Sequence, residues 1–269
     1  MTLFQIFSPN SNYSRRITQI RFLKYLLGVK NQTPTFAIYG ETGRFPLSVI
    51  CKEKSIKFWL KIMKNNELPI SHMYQDLCNN VNKKCWASRL NSIIDHLGCT
   101  DIRMNFDPRI NYFRILKTRI RDQFMQEWTE TISSLPKLDQ YSKYKTDFKF
   151  ESYLNDIVND KLRKGVTQLR LSSHSLEIEI GRYNNTPRMN RICKLCNQSA
   201  VESEFHFMLC CPLYSSLRQK FLGPSSWPTI HKFINLMSTK SKKRIINVAH
   251  YIKEAMVLRK NTLETLFVS

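Results

Sequence analysis

Apolar residues recur at helical spacing through most of this chain, with charged residues filling the intervals. Ile17, Ile20, Leu23, Leu26 and Leu27 form one such stripe, separated by basic residues. Leu47 to Met63 carries another, through Ile50, Ile56, Trp59, Leu60 and Met63. Ser71 opens a shorter helix, and Ala87 to Leu97 a further one that Gly98 ends. The longest pattern runs from Tyr112 to Ile132, placing Phe113, Leu116, Ile120, Phe124, Trp128 and Ile132 on roughly one face. Helices are also expected from about Tyr153 to Leu171, and over Ser215 to Leu222, Thr229 to Met237 and Ser241 to Lys260.

Three stretches break this rhythm. Pro34 to Pro46 (PTFAIYGETGRFP) reads as a turn-bearing connector with Gly40 and Gly43. The polar, aromatic and basic stretch PKLDQYSKYKTDFKFESY reads as a linker or extended arm. A soft boundary near residue 140 therefore divides a helical region, 1–140, from a C-terminal region, 141–269. Leu176-Glu-Ile178-Glu-Ile180 alternates with period two, which predicts a strand. The expected fold class is mainly α: an irregular helical assembly with a small zinc-stapled finger, about 176–222, containing a short strand.

That finger rests on the densest chemistry in the chain. Cys193 and Cys196 are separated by two residues, nine residues separate Cys196 from His206, and Cys210 and Cys211 come next. A Cys-x2-Cys pair sits on one tight turn and offers two thiolates to one ion. A following His and Cys complete a tetrahedron of S and N donors that suits Zn²⁺. Four protein ligands leave no position for water, so the expected role is structural and not hydrolytic. The fourth ligand is open. His206 and Cys210 share one face of an unbroken helix, whereas Cys211 needs the helix to end or bend before Pro212.

Charge narrows the partners. Lys and Arg total 42 against 21 Asp and Glu, a net charge of +21. Such an excess repels itself, and a polyanion relieves it by releasing counterions, so nucleic acid is the expected partner. Arg182, Arg188, Arg191 and Lys194 crowd the finger and are the candidate RNA or DNA contacts, with single-stranded RNA the favoured ligand. Lys161, Arg163, Lys164 and Arg170 precede them, and a second basic group runs from Lys240 to Lys260. Tyr183 and Phe207 read first as packing residues and second as base-stacking rings. Only 7 glycines occur, and neither GxGxxG nor GxxxxGK[ST] is present. No membrane partner is expected, because no run of 18 uncharged apolar residues exists. MTLFQIFSPNSNYSRR lacks a leader pattern, and the eight cysteines point to a reducing compartment, nucleus or cytoplasm. Cys51, Cys78, Cys85 and Cys99 lack metal-like spacing.

Several residues match a known pattern. Leu169 to His174, Gly181-Arg-Tyr183, Pro187-Arg188, Arg191-Ile-Cys193-x2-Cys196, Glu202-x-Glu204-x-His206-Phe207 and Cys211-Pro212-x-Tyr214-x3-Arg218 together resemble the C-terminal zinc-binding region of non-LTR (LINE-like) retrotransposon reverse transcriptases. Gly40-Glu41-Thr-Gly43-Arg44-Phe45-Pro46-Leu47 and the helix with Trp59 resemble the segment upstream of that finger. The resemblance implies Cys193, Cys196, His206 and Cys211 as ligands of a structural Zn²⁺, with Cys210 a bystander. It also implies a role in holding template RNA or target DNA beside a polymerase domain in the same or a neighbouring polypeptide. Reverse transcription needs paired carboxylates for two metal ions, and this chain has no Asp-Asp dipeptide. No catalytic residue is therefore assigned. His174 after two serines has no acid placed by any motif, and Asp156 and Asp160 read as a solvated face. Glu204 reads as exposed, or as a residue that orients His206. The rival readings are a protein-interaction scaffold with a zinc clip, and a decayed element fragment without activity.

Overall fold

The computed structural model describes residues 9–65, 67–79, 85–223 and 227–268. Residues 1–8, half of the stretch expected to lack a leader pattern, lie outside the described residues. The chain is mainly helical and falls into two compact units. The first comprises Met1–Gln19 and Phe45–Thr129, the second Ile20–Arg44 and Glu130–Ser269. The contacts thus divide the chain at 129/130, and residues 20–44 belong with the C-terminal part. Among the described residues, no helix is long and apolar enough to cross a membrane.

The first unit is built on α3 (Leu47–Lys64), with α4 (Pro69–Asn79) and α5 (Trp86–His96) packed against it. Its centre is Trp59, whose buried indole N–H must find an acceptor. It donates to the Tyr74 hydroxyl at 3.1 Å, which donates in turn to Asn91 Oδ1 at 3.0 Å. On α7 (Tyr112–Ser134) the buried stripe is Tyr112, Leu116, Ile120, Phe124, Trp128 and Ile132. The period is the expected one, with Tyr112 in place of Phe113 at its start. Arg119 donates to the Leu97 and Gly98 carbonyls at 2.9 and 3.0 Å, closing the C-terminus of α5.

The second unit gathers around α14 (Lys242–Val268), which packs on α10 (Asp160–Arg170) and α12 (Ser215–Leu222). Ile245, Val248, Ala249, Ile252 and Ala255 form its buried stripe. A largely buried ion network lies deeper, with Glu151 at its partly exposed edge. Arg170, read above as one of the basic residues leading to the finger, donates to Glu41 at 2.8 Å and pairs with Glu151 at 3.1 Å. Burial opposes its charge, and Glu41 and Glu151 outweigh that cost and hold the guanidinium protonated. Lys145 joins through Glu151, and the Tyr153 hydroxyl donates to Glu41 at 2.6 Å.

Four local expectations change. The 34–46 stretch is not a connector but holds a buried helix, α2 (Thr35–Thr42), ended by Gly43 at φ +58. A Cβ on Gly43 would stand 2.4 Å from the Phe150 nitrogen, so the close backbone approach there requires glycine. The expected linker forms a 3₁₀ turn and α8 (Asp139–Tyr144), with Tyr141 buried and donating to the Ala37 carbonyl at 3.4 Å. The expected strand at 176–180 is instead a helix, α11 (Glu177–Tyr183). Extended pairing near the finger is a single antiparallel bridge, Ile192 with Val201. The expected helix from Tyr153 to Leu171 is interrupted, with α9 (Tyr153–Asp156) ending before Asn159 caps α10.

Candidate metal centre

The cysteine pair sits on a small knuckle. The Ile192–Val201 bridge is flanked by hydrogen bonds from Cys193 N–H to the Ala200 carbonyl and from Glu202 N–H to the Arg191 carbonyl, both 2.9 Å. This closes the intervening residues into a tight turn that carries Cys193 and Cys196 on one side. The other two donors come from a π-helical turn, His206–Cys210. Cys211 N–H donates to the His206 carbonyl at 2.9 Å, an i to i+5 bond. The wider turn places a residue five ahead on the same face as His206. Pro212 then holds Cys211 in an extended conformation, φ −56 and ψ 122. The bend that Cys211 needed to reach the cluster is this π turn.

The sulfurs of Cys193, Cys196 and Cys211 and a ring nitrogen of His206 all lie within 4.8 Å of one another. An ion bonded tetrahedrally at about 2.3 Å to sulfur and about 2.0 Å to nitrogen would set an S···N separation of about 3.5 Å. Cys196 Sγ and His206 Nε2 are 3.5 Å apart. The four donors therefore sit close enough to hold a metal ion, through Nε2 of the histidine. Cys210 lies outside the group.

The sulfurs also have backbone donors, although of the three only Cys211 is held below its ordinary value. Each accepts a backbone N–H from the residue two ahead: Leu195 for Cys193, Gln198 for Cys196 and Leu213 for Cys211. The hydrogen bond to Cys211, together with burial, pushes the Cys193 thiol up to about 12, and the same bond holds Cys211 below its ordinary value. A proton is thus shared where a cation would sit, the situation in which metal binding displaces protons.

The rest of the second unit grips this centre. Arg218 donates to the Cys211 carbonyl at 2.6 Å, and the Tyr251 hydroxyl donates to the Phe207 carbonyl at 2.6 Å. Phe207 is fully buried against Tyr214 and Tyr251, with centroids 5.0 and 5.8 Å away. It packs and does not offer a face to a base. Glu202 has every polar group engaged. Its carboxylate takes Arg259 in a fork at 2.8 and 2.7 Å and the Glu177 N–H at 2.7 Å, while its carbonyl takes the Ile178 N–H. The guanidinium fork joins α14 to the knuckle and to the start of α11.

Glu204 is buried, contrary to the expected exposure. Its Oε1 accepts from Ser172 Oγ at 2.9 Å and lies 3.0 Å from His174 Nε2. Burial pushes this carboxyl up, but His174, the backbone and Ser172 outweigh it and hold it below the usual range. Leu176 N–H donates to His174 Nδ1 at 3.3 Å, so Nε2 carries the proton given to Glu204. Serine and histidine both serve one carboxylate oxygen and are not hydrogen-bonded to each other in a nucleophile–base arrangement.

The four candidate nucleic-acid residues all lie near the knuckle, and each has internal partners. Arg182 binds Glu179 at 3.1 Å, Arg188 reaches Asp139 at 3.3 Å, and Lys194 pairs with Glu177 at 3.1 Å. Arg191 donates to the Thr186 and Ile178 carbonyls at 2.9 and 2.8 Å, and its stem lies across Gly181, where a Cβ would come within 2.5 Å. Tyr183 is 45% exposed, with Lys30 and Lys137 each 5.5 Å from its ring centre. Asp160 pairs with Arg163 and Lys164 at 2.6 and 2.7 Å.

Compared with family models, curated proteins and solved structures, the chain matches none. Arg218 closes the pattern that resembles a zinc-binding region, whereas Tyr251 and Arg259 were not singled out for this site by sequence. Their one available signal is indirect: Glu202 and Glu204 are acids in an apolar run of a chain with twice as many cations as acids.

Proposed function

We propose that the cluster is a structural Zn²⁺ site. We further propose that the chain is a non-catalytic nucleic-acid-binding module, akin to the zinc-binding region of non-LTR retrotransposon reverse transcriptases. The observation that carries this reading is the closed tetrad of three sulfurs and one imidazole, a donor set suited to zinc that leaves no open ligand position. Supporting it, the acids cannot neutralise the chain even if all of them pair, since 42 minus 21 leaves 21 cations over. Such a surface gains from condensing on a polyanion. RNA template or target DNA is the ligand, held for a polymerase whose carboxylates lie elsewhere.

The test is metal analysis of the purified chain, followed by affinity for a fluorescent single-stranded RNA across a salt series. One zinc per chain, and binding that falls steeply with salt and is lost on chelation, are the expected results. Metal-free protein with an unchanged melting profile overturns the zinc centre. A scaffold reading, with zinc as a clip for protein contacts, is favoured by the internal pairing of Arg182, Arg188, Arg191 and Lys194. RNA binding that ignores salt would select it.

A further inference from the structure

The helix α3 of the first unit carries a row of cations that the metal centre does not use. Lys54, Lys57, Lys61 and Lys64 are all exposed and recur at intervals of three, four and three residues, so they share one face. The row spans about 15 Å at ~1.5 Å per residue. Among the described residues none of the four pairs with a carboxylate. The neighbouring acid of the helix, Glu53, is taken by Arg121 at 2.6 Å.

The same four lysines line a groove of about 520 Å³, and no Asp or Glu lines it with them. Its remaining wall is mostly apolar, with Phe58, Phe113 and the 42% exposed Ile110 beside Asn65 and Asn111. The Lys57 ammonium stands 5.9 Å from the centre of the Phe113 ring, so cation and π-face meet at one point. The carbonyl end of the helix accounts for Lys61 and Lys64, which lie in its last turn. It does not account for Lys54 and Lys57, nor for the aromatic wall beside them. Like charges at these spacings disfavour the helix on its own. A bound polyanion reverses that sign.

We propose that this groove binds single-stranded nucleic acid, with phosphates along the lysine row and a base against Phe113. Charge complementarity selects a polyanion. The apolar wall selects one whose bases are free to leave their stack, which a duplex does not offer. The assignment lies wholly in the first unit and does not depend on the zinc centre.

The test uses the full metal-replete chain and a fluorescent oligouridine across a salt series. Replacing Lys54, Lys57, Lys61 and Lys64 together with Gln is expected to make the slope of log K against log salt shallower by about 2.8, at ~0.7 per phosphate for a single strand. Phe113→Leu, which keeps apolar bulk and removes the ring, is expected to weaken binding at least about fivefold with the slope unchanged. Both variants should keep the wild-type zinc content and melting midpoint. Wild-type slope and affinity in the quadruple variant would overturn the groove and leave the module reading standing. No salt-dependent binding by the wild-type chain would overturn both. A duplex of equal length that competes as well as the single strand, with Phe113→Leu neutral, would overturn the single-strand assignment. So would a quadruple variant that loses binding only to anionic vesicles.

Discussion

The cations beside the candidate metal donors and those on α3 are alike in number and differ in what they already hold. Arg182, Arg188, Arg191 and Lys194 each have a carboxylate or carbonyl partner within the second unit. Lys54, Lys57, Lys61 and Lys64 line an acid-free groove in the first. A basic run next to a metal motif invites a binding role by proximity. Whether a cation is available to a ligand depends on what it already holds, because a phosphate must outcompete the resident acceptor. The first set already holds partners around the knuckle, with Arg188 and Lys194 still half exposed. The second is free to meet solvent or a polyanion.

Four substitutions break or sharpen that contrast, the largest effect first. Cys196→Ser removes one of four donors, and structural zinc contributes roughly 10–16 kcal/mol in small fingers, comparable to the whole stability of a domain, about 5–15 kcal/mol. The second unit is expected to lose its cooperative fold, read as loss of amide protection at Phe207 to Leu209. Full protection without bound metal would show that packing alone holds the knuckle.

Arg259→Ala strands a buried Glu202 and is expected to cost about 3–5 kcal/mol in chemical denaturation. A loss under 1 kcal/mol, roughly the worth of an exposed pair, would mean that α14 does not clamp the knuckle. Arg191→Ala gives up hydrogen bonds from a charged donor to two carbonyls, an expected loss of about 1.5–3 kcal/mol. If it instead weakened RNA binding without touching stability, Arg191 would move to the other side of the comparison. Lys57→Ala is expected to change stability by less than about 0.5 kcal/mol, as for a solvated surface residue. Strong destabilisation there would mean that the row is structural after all.

The sequence made some of this plain and concealed the rest for definable reasons. Stripes with one buried face were legible: Leu116, Ile120, Phe124, Trp128 and Ile132 are buried as the spacing predicts, and Ser215–Leu222 is a helix with the expected bounds. The 176–180 segment misled because its glutamates are not on a wet face. Glu177 pairs with Lys194 and Arg259, and Glu179 with Arg182 and Lys137, so both are buried in a helix. Alternation reports a strand only when its polar positions meet solvent. The buried helix Thr35–Thr42 lacked a polar face altogether, with every residue from Ala37 to Thr42 buried, and so offered no periodicity to read. At the site, all four donors were visible in the spacing. The choice between Cys210 and Cys211 was not, because it turns on a five-residue hydrogen bond that sequence periodicity assumes away.

The discontinuity of the second unit sets an order of events on the ribosome. The four candidate metal donors leave the exit tunnel within one short stretch, Cys193 to Cys211, and can find each other at once. Glu41 must wait for Arg170, which lies 129 residues further on. At roughly 5–20 residues per second that is a delay of about 6–26 s, long enough for the intervening helices of the first unit to form. A carboxylate made for the core thus spends the early life of the chain in water, until a cation 129 residues further on covers it.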